Sequence, residues 1–128
     1  MTFEVKEHYD KLLAGQYNFI YTGGTLDFDR RAKEFSSYFE SLGLKTHETS
    51  AIAVDLGSGN GYQSIPLAEF GYSVIAVDLS SQLLAELQKR ASEKRLTVTT
   101  KEADICVFAP TMPKGGVSVA ICMTDTIL

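Results

Sequence analysis

The chain has 128 residues, 45% of them apolar and 22% charged, a composition that suits one packed domain and argues against a disordered one. Its net charge of −4 and pI of about 5.1 leave no basic excess to drive counterion release, so no nucleic-acid partner is expected. Apolar runs fall far short of the roughly 20 residues of a membrane span, the first ten residues lack a signal-peptide core, and Cys106, Cys122, His8 and His47 match no metal spacing. A soluble cytoplasmic protein without a bound metal or membrane partner is the expectation.

Residues 4–20 place Val5, Tyr9, Leu12, Leu13, Tyr17 and Ile20 at spacings of one or two amphipathic helices broken at Gly15. A glycine loop at residues 21–25 precedes a clearer helix. Asp27 can cap it, Phe28, Ala32, Phe35, Phe39 and Leu42 form one stripe, and Gly43 stands where a left-handed residue ends a helix. The aromatic stripe reads as packing surface.

From residue 51 the pattern changes. Residues 51–56 are an apolar run ended by a carboxylate and followed by a glycine-rich turn. Residues 62–70 read as a helix with Pro66 near its start, and residues 73–79 as a second strand. Ser80 and Ser81 cap a helix with Leu83, Leu84, Leu87 and Ala91 on one face. The basic run Lys89, Arg90, Lys94, Arg95 reads as its solvated end. Residues 96–101 alternate, as suits a strand near a sheet edge; a loop with Pro110, Pro113, Gly115 and Gly116 follows, and residues 117–123 form a fourth strand. Strands rich in Val, Ile and Ala alternating with helices call for a parallel sheet covered on both faces. The expected organisation is an amino-terminal helical lead-in over 1–50 and a Rossmann-like half domain over 51–128, within one structural domain.

Ile-Ala-Val-Asp-Leu occurs at Ile52–Leu56 and again at residues 75–79, so Asp55 and Asp78 should end adjacent strands at the carboxyl rim, where α/β sheets bind ligands. A helix entered through a glycine-rich turn suits dinucleotides or S-adenosylmethionine. A dinucleotide fingerprint needs G-x-G-x-x-G, whereas the glycines here are Gly57, Gly59 and Gly61, with Tyr62 in the sixth place. Asp55, two residues before Gly57, would repel a pyrophosphate and favour a cation such as an amino-acid ammonium. Asp78, 21 residues after Gly57, suits two ribose hydroxyls, a feature common to both ligand classes. Structural alternatives stand beside these: Asp55 capping a turn, Asp78 capping the Ser80 helix, and Asp104 as a surface loop residue.

Val54-Asp55-Leu56-Gly57-Ser58-Gly59-Asn60-Gly61 resembles motif I of the class I S-adenosylmethionine-dependent methyltransferases, and Val77-Asp78-Leu79-Ser80 resembles their second acidic motif. Glu102-Ala103-Asp104-Ile105 resembles the segment after the third strand that meets adenine. His8-Tyr9-Asp10, Tyr17 and Gly23-Gly24 resemble the family's helical lead-in. The resemblance covers nearly the whole chain and implies S-adenosylmethionine as cofactor. It implies that the backbone of Gly57, Ser58, Gly59 and Gly61 lies along the methionine portion and that Asp55 helps hold the ammonium. Asp78 would take the ribose, Leu79 would pack on adenine, and Asp104 with the backbone of Ile105 would meet the adenine edge. Met123 and Thr124 would lie near the sulfonium, and Tyr17 would close over the ligand, a half-buried helix position being its structural alternative.

The family's sheet has seven strands in the order 3-2-1-4-5-7-6, and the chain matches the amino-terminal portion, with order 3-2-1-4. The expected function is methyl transfer to a small-molecule acceptor without the later strands. A non-catalytic cofactor-binding or oligomerising remnant is the alternative, and a nicotinamide-nucleotide domain is disfavoured by Asp55. No general base is visible; His8 is a poor candidate. Strand 117–123, read as an edge apolar on both faces and without lysine or proline, would pair with another chain, or an amino-terminal segment would be exchanged, giving a homo-oligomer.

Overall fold

The computed structural model describes residues 25–44, 51–112 and 115–122, with side chains from Asp27 onward. The lead-in helices expected over residues 4–20 lie outside them.

Helix α1, Thr25–Ser41, starts before the expected cap. Asp27 therefore stands in its first turn, where a negative charge suits the exposed amides, and pairs with Arg30 and, at 3.4 Å, with Arg31 Nε. The helix closes as the glycine predicts: Gly43 has φ +84°, its N–H donates to Glu40 O at 3.0 Å, and that of Leu44 to Phe39 O at 3.1 Å. Phe28 and Phe39 are buried and Phe35 packs against the same core, so the stripe is packing surface.

The strands β1 (Ile52–Leu56), β2 (Ser73–Asp78), β3 (Val98–Glu102) and β4 (Val117–Ile121) form one parallel sheet in the order β3-β2-β1-β4, the Rossmann-like arrangement expected. Helix α2, Ser64–Glu69, is shorter than the helix expected over 62–70, because Tyr62 and Gln63 belong to the preceding turn. Pro66 is its third residue, where the missing N–H costs no helical bond. Helix α3, Ser81–Glu93, is capped by Ser80, whose Oγ accepts from Leu83 N at 3.2 Å. It buries the predicted Leu83, Leu84, Leu87 and Ala91 against β2 and β3.

Two expectations are corrected. The loop after β3 contains a four-residue helix, α4 (Ile105–Phe108), and a 3-10 turn over Ala109–Thr111. Asp104 caps α4, and Pro110 falls in the first positions of the turn, where proline is tolerated, so a residue expected in a loop starts a helical turn. Strand β4 is covered on one face only: Ser118 and Ala120 are exposed, while Val117, Val119 and Ile121 are half-buried. Its pairing with β1 skips one residue, Ile52 facing Val117 and Ala53 facing Val119. Among the described residues no helix is long and apolar enough to cross a membrane.

A carboxylate-lined glycine turn as candidate cofactor site

Parallel pairing brings the ends of β1 and β2 to one rim, and the turn between β1 and α2 is tied to it by backbone bonds. The amides of Gly57 and Ser58 both donate to Val77 O, at 2.8 and 3.0 Å. Asp78 completes the anchorage. Its Oδ2 accepts from Gly59 N at 2.9 Å and its Oδ1 from Ser80 N at 2.9 Å, all within buried surroundings. The expected ribose acceptor is thus also the clasp joining the turn to the start of α3.

Gly61 has φ +107°, and a Cβ there would stand 2.5 Å from Leu87 Cδ1 and 3.4 Å from Ile65 Cγ1. The third glycine of the turn lets α3 approach closely, a role the dinucleotide fingerprint gives to a glycine one place later.

Asp55 is placed differently. Its side chain is wholly buried at the end of β1; Oδ2 accepts from Ser64 Oγ at 2.6 Å, and Oδ1 accepts no hydrogen bond from any described residue. Burial pushes its carboxyl up to about 7, the nearby Asp78 charge adds to the rise, and the Ser64 hydroxyl opposes it. Ser58 Oγ is likewise buried without a described partner. A buried carboxyl that titrates near 7 is only partly ionised at neutral pH, and a cation that pairs with it favours the charged form. The residues present therefore fit a ligand carrying an ammonium and do not fit a pyrophosphate.

The rest of the rim is built by β2 and β3. Leu79 is half-buried just past β2, and Ala103 N donates to Asp78 O at 3.0 Å, pinning the segment that leads to Asp104. Asp104 is neither buried nor an idle loop residue. Its Oδ1 accepts from Cys106 N at 2.8 Å as the cap of α4, and this bond holds its carboxyl below the usual range. Ile105, beside it, is partly buried. Tyr17, Met123 and Thr124 lie outside the described residues.

Sequence reasoning missed two supports. Ser64 carries no motif signal beyond being the first residue of α2, nine places after Asp55. Arg90, read as part of a solvated helix end, lays its guanidinium 3.8 Å from the Phe28 ring centroid; Phe28 stacks on Tyr62 at 5.1 Å, and Arg31 stands 5.8 Å over Tyr62. The ladder braces α1 and α3 against the residue that follows Gly61. Its signal was available: Arg90 follows Leu83 and Leu87 on the buried face of α3.

Residues 53–127 match the family model described as a methyltransferase domain. A glycine/sarcosine N-methyltransferase of Parasynechococcus marenigrum (strain WH8102) is 32% identical over 79 residues, which are 62% of this chain and 27% of that protein. An uncharacterised protein of Mycobacterium tuberculosis (strain ATCC 25618 / H37Rv) is 39% identical over 51 residues, 40% of this chain and 19% of its own length. The chain thus spans about a quarter or less of the curated relatives it matches. The magnesium protoporphyrin IX methyltransferase of Synechocystis PCC 6803, solved with bound S-adenosylmethionine, superposes with a TM-score of 0.69 at 21% identity, covering 94% of this chain and 60% of that one. Its form with bound S-adenosylhomocysteine gives 0.68 at 22% identity, covering 94% and 57%. At such identity these likenesses establish a shared fold.

The site as built makes two outcomes measurable. Gly61→Ala meets Leu87 and holds alanine at an unfavourable φ, so urea unfolding should show a loss of about 2–4 kcal/mol; an unchanged midpoint would contradict the close packing. The Asp55 carboxyl is raised in the folded state, so the folded protein binds more protons than the unfolded chain between about pH 4 and 7. Ligand-free stability should therefore fall as pH rises through that window, by roughly 1.4 kcal/mol for each pKa unit of the shift, and Asp55→Asn should flatten the slope.

Proposed function

This chain belongs to the S-adenosylmethionine-dependent methyltransferases, and on that footing we propose that its glycine turn and two rim carboxylates bind the cofactor for methyl transfer to a small-molecule acceptor. The observation that carries the reading is Asp55 Oδ1, a buried acceptor without a described partner, two residues ahead of a turn whose Gly59 amide already lies on Asp78. In this reading Gly57, Ser58, Gly59 and Gly61 line the methionine portion and Asp55 takes its ammonium. Asp78 adds the ribose hydroxyls to the two amides it already holds, Leu79 packs on adenine, and Asp104 with the Ile105 backbone meets the adenine edge. For Tyr17, Met123 and Thr124, outside the described residues, the proposal is carried by the motif resemblance alone: the first as a cover for the cofactor, the other two as neighbours of the sulfonium.

When bound, S-adenosylmethionine supplies a methyl group already activated on a cationic sulfur. The protein's task is then to orient rather than to move protons: the turn and the carboxylates fix one face of the cleft, and the acceptor approaches from the other. A small acceptor is supported by the substrates that name the 32%-identical relative, glycine and sarcosine, and by the net negative charge, which gives no footing to nucleic acid.

Calorimetry with S-adenosylmethionine should show saturable binding, with NAD giving none. Asp78→Ala should weaken binding by about 1.5–3 kcal/mol, the range for hydrogen bonds to a charged group; unchanged affinity in a folded variant would refute the ribose role. A methyl-transfer assay over small amine acceptors then separates an enzyme from a binding remnant, turnover supporting the former and binding alone the latter. Self-association belongs to the same proposal, because β4 pairs only with β1 among the described residues and carries no charge along Val117–Ile121. Light scattering should report a mass of two chains or more, and a monomer at high concentration would contradict the pairing.

A further inference from the structure

Ser64 has no place in the motif that names the site, yet its geometry is specific. It is the first residue of α2, fully buried, and its hydroxyl donates to Asp55 Oδ2 over a short 2.6 Å. That bond stops the carboxylate from turning about its Cβ–Cγ bond and leaves Oδ1 as the oxygen without a described partner. Among the described groups, Asp78 at the end of β2 acts on Asp55 by like-charge repulsion, Ser64 on α2 is the group that opposes it, and the residues facing Asp55 across the sheet, Ala76 of β2 and Ile121 of β4, carry no charge. Arg31 on α1 and Arg90 on α3 stand over the Tyr62 and Phe28 rings. Desolvation and repulsion thus favour the neutral acid, and one hydrogen bond favours the anion.

We propose that Ser64 is a positioning residue for cofactor binding: its hydroxyl holds Asp55 in the orientation and ionisation needed to accept the ammonium of the methionine portion, so that capture of this cationic end is coupled to release of a proton from Asp55. The inference rests on the reading of the site as an S-adenosylmethionine pocket. Protons balance as follows: Asp55 gives its proton to solvent, Ser64 keeps its own and donates throughout, and the arriving ammonium retains its three. No covalent bond to carbon changes.

The midpoint of this coupling is near neutral pH, since burial holds the free carboxyl at about 7. Without the Ser64 donor the acid should become weaker by about one pH unit, the size expected for a hydrogen bond to a charged acceptor. A purely structural serine would loosen α2 and lower affinity equally at every pH.

The test compares two ligands by calorimetry from pH 5.5 to 8. S-adenosylmethionine carries the amino-acid end, and 5′-deoxy-5′-methylthioadenosine lacks it but keeps ribose and adenine. In wild type, affinity for S-adenosylmethionine should rise with pH across this window. Runs in buffers of different ionisation enthalpy should show about one proton released per site at pH 6. Methylthioadenosine affinity should be flat and release none. Ser64→Ala should move the rise about one unit upward and weaken S-adenosylmethionine about five- to tenfold between pH 6 and 7, with methylthioadenosine unaffected; Ser64→Thr, which keeps the hydroxyl, should restore the wild-type profile. An unmoved midpoint in Ser64→Ala, or a loss that is equal at all pH values and for both ligands, would overturn the proposal. A measurement on the unaltered chain stands behind the variants: the Asp55 carboxyl carbon, followed by NMR, should titrate near neutrality when free and well below that when saturated with S-adenosylmethionine, and identical titrations would overturn the coupling. Should neither ligand bind at any pH, the reading of the pocket itself fails.

Discussion

The Asp78 carboxylate holds three parts of the molecule in register. Its two bonds of 2.9 Å, to Gly59 N and Ser80 N, fasten the glycine turn to the end of β2 and to the start of α3. Its own carbonyl receives Ala103 N, which draws in the segment after β3. These bonds act beside those of the Gly57 and Ser58 amides to Val77 O, and together they hold a backbone that passes through positive φ at Gly57, Gly59 and Gly61, conformations that side-chain sterics do not enforce. Hydrogen bonds accepted by a charged group are among the stronger ones available in a buried place, so a single side chain can define the rim.

The neighbouring carboxylate lacks such donors and behaves differently. Asp55 and Asp78 occupy adjacent strand ends, bear on each other as like charges, and are both buried. Asp78 faces amides, while Asp55 faces one hydroxyl and keeps an oxygen without a described partner. Two identical side chains are thereby given different hydrogen-bonding states by local donors alone. A buried acceptor left open lowers the stability of the empty protein, and the natural compensation is a ligand that brings the missing positive charge.

Much of the fold and the rim was legible in the sequence, for reasons that can be named. Helical periodicity exposed the face of Leu83, Leu84, Leu87 and Ala91, Ser80 announced the start of α3, and Gly43 the end of α1, because each signal depends only on neighbours along the chain. Alternating apolar strands and helices led to the parallel order β3-β2-β1-β4, and the paired Asp55 and Asp78 led to the rim. The missed features depend on residues remote in sequence or on competing local signals. The spacing of Arg90 after Leu83 and Leu87 puts it on the buried face but does not tell that its partner is Phe28, and nothing local tells that Ser64 closes on Asp55. The turn at Pro110 is hidden within an expected loop because proline marks loops and helix starts alike, and the exposed face of β4 because a short strand of small and apolar residues does not show which face the sheet covers. Motif resemblance pointed to this rim and to different roles for its two acids, and the hydrogen bonds show that the donors around Asp55 and Asp78 differ.

The most direct measurement of the central claim is a titration of isotope-labelled protein with S-adenosylhomocysteine, followed through its backbone amide resonances. Saturable shifts should centre on Gly57, Gly59 and Gly61 and extend to Leu79 and Ile105, with the remote end of the sheet around Ser73 and Val98 unmoved. Saturable shifts confined to another face of the protein, or none at millimolar ligand, would contradict a cofactor pocket at this rim.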